Sequence, residues 1–253
     1  MKGEAAPVVR FSGVSKTYGK VPVLDQITFD LPAGAFCGLI GTNGAGKTTI
    51  LKCLLDFCDF AQGSIELFGL DHRRPESRRM LSYLPERFSP PFFLTGREFL
   101  KIMLRMSQAD YNDALAIEMF TNLGLQQGAL DMPVRSYSKG MTQKLGLAAS
   151  FMMERSLLVL DEPMSGLDPL ARVCVKRQLA KIKVRGNSTV LLTSHALADL
   201  EEICDHMFLL HDSRIAYAGS PQAFRRESGE ATLEQAFIRR TEIASRIESA
   251  KHV

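Results

Sequence analysis

The chain has 253 residues, 45% of them hydrophobic and 23% charged, with a net charge of +3. That length supports one or two domains with a real core, and its longest arginine runs are pairs (Arg73-Arg74, Arg78-Arg79, Arg225-Arg226, Arg239-Arg240), solvated faces rather than a nucleic-acid stripe. Five cysteines (Cys37, Cys53, Cys58, Cys174, Cys204) without C-x-x-C spacing fit a reducing cytosol and exclude a disulfide scaffold, while no apolar run approaches the ~20 residues of a membrane span and the start MKGEAAPVVRF lacks a signal peptide's apolar core.

Val8 to Ser12 and Ile27 to Leu31 read as short strands. Between them Ser15 to Lys20 reads as a polar loop with one aromatic, Tyr18. Pro32-Ala33-Gly34 is a turn, and Ala35 to Ile40 is a buried apolar strand. It runs into Gly41-Thr42-Asn43-Gly44-Ala45-Gly46-Lys47-Thr48-Thr49, which fits G-x-x-x-x-G-K-[ST], and Thr49 to Leu55 reads as the helix leaving it. Strand, loop and helix in that order suit a nucleoside triphosphate. Glycines let the backbone turn its N–H groups inward at an anion, and the helix N-terminus adds its positive end. Lys47 can reach the β- and γ-phosphates, and the Thr48 hydroxyl can ligate Mg²⁺.

Gly63 to Gly69 and Met80 to Leu84 are further strands, the second ending at Pro85-Glu86. Helical spacing follows over Thr95–Met106 and Tyr111–Leu123, with Thr95 and Glu98 in the pattern of a capping box. Asp131-Met132-Pro133 breaks the chain before a third helix, Ser138 to Met153, so residues 88–155 read as an all-helical insert. Ser156 to Leu160 is a strand ending in Asp161-Glu162. A carboxylate at the C-terminal edge of an open α/β sheet stands where ligands bind. Asp161 can hold the Mg²⁺ hydration shell, and Glu162 can polarise an attacking water as general base. A helix from Pro169 to Val184, a strand Thr189–Thr193 leading to Ser194-His195, a helix Ala196–Cys204 and a closing hairpin (Met207–Leu210, Arg214–Ala218) complete the pattern. The tail, residues 221–253, reads as helical, with Leu233, Phe237 and Ile238 on one face. Strands alternating with helices after a phosphate loop predict an α/β fold with a largely parallel sheet.

Tyr137-Ser138-Lys139-Gly140-Met141, lying between the two acidic and glycine-rich elements, resembles the L-S-G-G-Q signature of ABC ATPases. Ser165-Gly166-Leu167-Asp168 is similar to the family's D-loop, and His195 falls where the family has its switch histidine. The resemblance covers residues 8–220 and implies a P-loop NTPase core with an antiparallel β arm and a helical subdomain. It further implies that Tyr18 stacks on adenine, the alternative being an aromatic packed on the sheet. Ser138 and Gly140 would form a second anion site over the γ-phosphate of another copy, so that two ATP are sandwiched in a symmetric dimer. Asp168 would couple the two sites, and His195 would contact the γ-phosphate unless it is a core histidine. A GTPase reading lacks the N-K-x-D motif.

The chain departs from the family pattern at Glu86, where glutamine is frequent, and at Lys139, Met141 and Lys144. The variants YLPE and YSKGM, with the charged tail, resemble ABC-2-type exporter ATPases, which implies a cytoplasmic subunit held at the membrane's inner face by a separate integral-membrane permease. Phe92 and Phe93 either anchor the helical insert or line a groove for that permease. A soluble ABC ATPase acting on ribosomes or DNA usually carries two cassettes or a coiled-coil insertion, and neither pattern is present.

Overall fold

The computed structural model describes residues 6–241. In chain order it contains β1 (Val9–Tyr18), β2 (Val21–Leu31), β3 (Phe36–Gly41), α1 (Lys47–Leu54), β4 (Gln62–Leu67), β5 (Leu70–Asp71), the short α2 (Pro75–Arg78) and β6 (Leu81–Leu84). There follow α3 (Gly96–Met106), α4 (Asp113–Asn122), two 3-10 turns (Gln127–Asp131 and Val134–Ser136) and α5 (Lys139–Met152). The chain closes with β7 (Leu157–Leu160), α6 (Pro169–Arg185), β8 (Thr189–Thr193), α7 (Leu197–Ile203), β9 (His206–His211), β10 (Arg214–Gly219) and α8 (Pro221–Ser228). Residues 233–241 are helical, and the rest of the expected tail helix, 242–253, lies outside the described residues. Two compact units result, one from the chain up to Arg74 and again from Thr193, the other from Pro75–Leu192.

In the first unit an antiparallel sheet has the order β2-β1-β4-β5. β9 pairs parallel with β3 and antiparallel with β10. Phe29 joins these layers: its ring lies 4.6 Å from Phe11 and 4.5 Å from Phe208, all three buried. Aromatic contacts of this kind add to the apolar burial that drives the layers together. The expected polar loop at Ser15–Lys20 is instead strand as far as Tyr18, and the hairpin turns on Gly19-Lys20 alone. The cause is a series of register shifts between Phe11 and Thr17, with Gly13 and Gln26 at positive φ on the two strands. Each bulge breaks the two-residue alternation by which a strand is read from sequence. Leu233 and Ala236 are buried in the last helix, whereas Ile238 is exposed and does not share their face.

In the second unit β7 pairs parallel with both β6 and β8. Every residue of β7 and β8 is buried, the continuous apolar run of a parallel strand covered on both faces. Between residues 88 and 155 the backbone is helical or looped, with one isolated bridge between Thr95 and Pro133. The capping box at α3 is present: Glu98 N–H donates to Thr95 Oγ1 at 3.2 Å, and Thr95 N–H donates to Glu98 Oε2 at 2.8 Å. The anchors of this helical stretch are Phe120, Phe99 and Phe88, the last two 5.7 Å apart edge to face. Phe92 and Phe93 do not anchor it. They are 67% and 70% exposed and contact each other.

Candidate nucleotide-binding site

β3 ends in the glycine loop because its last residue can come closer to β9 than any side chain allows. A Cβ on Gly41 would lie 2.5 Å from the Leu210 carbonyl oxygen. Beyond it Gly44 and Gly46 take φ of +82° and +111° and reverse the chain, while Ala45 N–H donates to Thr42 O at 3.2 Å. α1 then starts at Lys47, two residues earlier than expected, with Gly46 as N-cap. That cap offers no side-chain acceptor, and the first turn contains no acidic residue. The positive end of α1 is therefore presented to the concave side of the loop, the arrangement that recruits a phosphate. Lys47 is buried, its Nζ donating to Gly41 O at 2.8 Å and Thr42 O at 3.1 Å, so the ammonium lies inside the curl of the loop.

Tyr18 stands at the tip of the β1–β2 hairpin in the same unit, 51% exposed. His195, directly after β8, is also exposed, which removes the core-histidine alternative.

The second unit carries the acidic elements. Asp161 follows β7 and its N–H donates to Leu84 O at 2.8 Å, tying it to the end of β6. Asp161 and Glu162 are only 5% and 8% exposed. Glu86, two residues past β6, is exposed. Tyr83 lies near both Asp161 and Glu86: burial pushes its phenol up to about 12, and the two carboxylates push in the same direction. Glu162 has φ +49°, a left-handed conformation uncommon outside glycine and concentrated at functional sites. Nothing in the residue types of Leu160 to Pro163 signals this.

Ser138 caps α5, its Oγ accepting from Met141 N–H at 3.2 Å. Asp168 caps α6 in the same way, accepting from Ala171 N–H at 2.8 Å, and that bond holds its carboxyl below the usual range with Lys144 adding to the effect. The signature and the D-loop are brought together. A Cβ on Gly140 would lie 3.7 Å from Gly166 O, and one on Gly166 would meet the Lys139 side chain at 3.1 Å. Gln143 Nε2 donates to Pro163 O at 3.3 Å and locks the two segments from the buried side. Sequence reading missed Gln143; a buried amide on an otherwise apolar helix face is the signal that identifies it.

A family model described as "ABC transporter" matches residues 24–165, more than half of the chain. The chain belongs to the ABC transporter family. This ABC subunit is 32% identical over 215 residues to the bacitracin transport ATP-binding protein BcrA of Enterococcus faecalis, covering 82% of its own length and 68% of that protein. It is 32% identical over 236 residues to the Nod factor export ATP-binding protein I of Rhizobium meliloti, covering 87% of itself and 70% of that relative. A solved structure of the ATP binding subunit of an ABC transporter superposes with a TM-score of 0.85 at 28% identity, over 92% of this chain and 99% of that one. The chain is thus an ATP-binding, ATP-hydrolysing subunit of this family. No helix of the described residues is long and apolar enough to cross a membrane.

Proposed function

We propose that this chain is the ATPase subunit of an exporter, closing with a second copy of itself or a paralogous subunit around two ATP molecules and so moving a separate integral-membrane permease. The observation that carries this reading is the triphosphate cradle at Gly41–Thr49, with the Lys47 ammonium inside the loop and α1 opening on it. Export follows the relative whose name states it, and the ABC domain is taken as residues 1–220 with the helical subdomain at 88–155 and a tail beyond. The exposed Phe92 and Phe93 are the proposed contact with the permease, which would hold the subunit at the membrane's inner face.

In this reading the backbone N–H groups from Thr42 to Thr49 and the Lys47 ammonium bind the phosphates, and Tyr18 stacks on the base. The Thr48 hydroxyl and the Asp161 and Glu86 carboxylates are hard oxygen donors, the type that suits Mg²⁺. Among the described residues no group of three or more His, Cys, Asp or Glu is placed to hold a metal by itself, which suits an ion carried largely on the nucleotide. When bound, Mg²⁺ neutralises charge on the β- and γ-oxygens. Glu162 takes the proton of the attacking water, and His195 orients that water against the γ-phosphate. Ser138 and Gly140 at the start of α5 close over the γ-phosphate of the other copy, with Asp168 coupling the two sites.

The test is Glu162→Gln. It removes the base while leaving the phosphate contacts, so it should bind ATP and run as a stable dimer on size exclusion without turning ATP over. Wild-type hydrolysis by this variant rules Glu162 out as the base.

A further inference from the structure

Tyr18 has two ring faces, and the structure accounts for one of them. The Lys16 ammonium lies 4.7 Å from the ring centroid, within the range of a cation–π contact. Lys16 and Tyr18 lie two apart near the end of β1, where the register shift between Lys16 and Thr17 brings the ammonium over the ring. The ammonium is fixed rather than trailing in solvent, because it also donates to the carbonyl of Asp59. That carbonyl lies in the segment following α1, and the segment is bound to β1 a second time through Ala61 N–H and Ser15 O at 2.8 Å. Lys16 thus has a defined position over one face of a ring that remains 51% exposed.

We propose that Lys16 is a positioning residue for nucleobase recognition: it holds Tyr18 from behind and leaves the opposite face of the ring for an electron-rich purine. This rests on the reading of Tyr18 as the base platform. A cation on one face draws π-density toward itself, so the far face repels a stacked purine less than a bare phenol does. The tether to Asp59 also restricts the ring's rotamers before nucleotide arrives, which lowers the ordering cost of binding. The same tether connects the base platform to the segment that trails the phosphate-loop helix.

The experiment compares equilibrium binding of ATP with that of inorganic tripolyphosphate, which has phosphates and no base. It uses the full chain as wild type, Lys16→Met, Lys16→Arg, Tyr18→Ala and the Lys16→Met/Tyr18→Ala double variant. Lys16→Met should weaken ATP about two- to five-fold, the ratio corresponding to the ~0.5–1 kcal/mol of an exposed cation–π contact. Tripolyphosphate affinity should not change, Lys16→Arg should bind ATP like wild type, and Lys16→Met should add nothing once Tyr18 is alanine. An unchanged ATP affinity in Lys16→Met, with Tyr18→Ala clearly weakened, overturns the role of Lys16 alone. An equal loss for tripolyphosphate overturns it too, because Lys16 would then act through the phosphate loop. If Tyr18→Ala binds ATP like wild type, the base platform itself is refuted and this inference falls with it.

Discussion

Alanine at Gly46 and at Gly44 should have very different consequences, although both glycines sit in the same loop at positive φ. At Gly44 φ is +82° and an added Cβ meets no heavy atom within 4 Å, so Gly44→Ala carries only the left-handed backbone penalty, ~1–2 kcal/mol. At Gly46 φ is +111°, further from any well an L-residue occupies, at a cost of ~1–3 kcal/mol. The same Cβ would lie 2.9 Å from the Val23 carbonyl oxygen and 3.1 Å from Leu24 Cδ2. A backbone oxygen in β2 cannot rotate aside as a side chain can, so overpacking adds ~1–3 kcal/mol. The sum for Gly46→Ala is about 2–6 kcal/mol against a total stability of roughly 5–15 kcal/mol. Part of that strain can be relieved by rotating the start of α1, which turns its N–H groups off the phosphate position. Urea unfolding gives the stability change, and ATP titration gives the second effect, expected to exceed tenfold for Gly46→Ala alone. If the two variants unfold within ~1 kcal/mol of each other, the close approach of β2 to Gly46 does not exist in solution and the reasoning fails.

Two further outcomes follow from other parts of the chain. The Asp168 carboxyl is held below its usual value of 3.8 by the Ala171 N–H, so it stabilises the fold above that pH and the contribution is lost as pH falls through the lower folded-state value. Asp168→Asn keeps a capping oxygen that does not titrate, so its melting temperature, followed by circular dichroism from pH 6 to pH 2, should fall less steeply than wild type; an equal slope contradicts the assignment. The double variant Phe92→Ala/Phe93→Ala removes two rings that are mostly in solvent. It should fold with near-wild-type stability yet lose co-purification with the integral-membrane partner, and undiminished co-purification removes those rings from the docking surface.

The backbone of the phosphate loop was legible in the sequence because it is a short segment whose residue types are constrained by geometry. The phosphate loop needs glycines at positive φ and a lysine at the helix start, and these stand at Gly44, Gly46 and Lys47. The cap at Thr95 was equally local, a short polar side chain accepting from an N–H three residues on; Ser138 and Asp168 make the same bond, which was not read from the sequence. Features that depend on distant residues were not legible. The length of β1 was lost because its bulges answer to register against β2 and not to its own alternation. The polar run Ser15–Lys20 reads as a loop by composition, yet cross-strand pairing carries it as a strand to Tyr18. Phe88, Phe92 and Phe93 are chemically equivalent in sequence, and only packing against Phe99 distinguishes the half-buried ring from the two exposed ones. The left-handed backbone of Glu162 is likewise imposed by the turn around it, in which Ser165 N–H donates to Glu162 O at 3.0 Å.

The central claim is that each ATP is shared by two chains, the loop at Lys47 coming from one and the α5 terminus at Ser138 from the other. Lys47→Ala and Ser138→Phe, purified separately, should each be inactive in a steady-state ATPase assay. Mixed, they can form a heterodimer in which one composite site has both halves intact. Hydrolysis should therefore reappear on mixing, rise with the concentration of either partner and saturate below the wild-type rate. A mixture that stays as inactive as its components, under conditions where wild type turns over, contradicts the shared site.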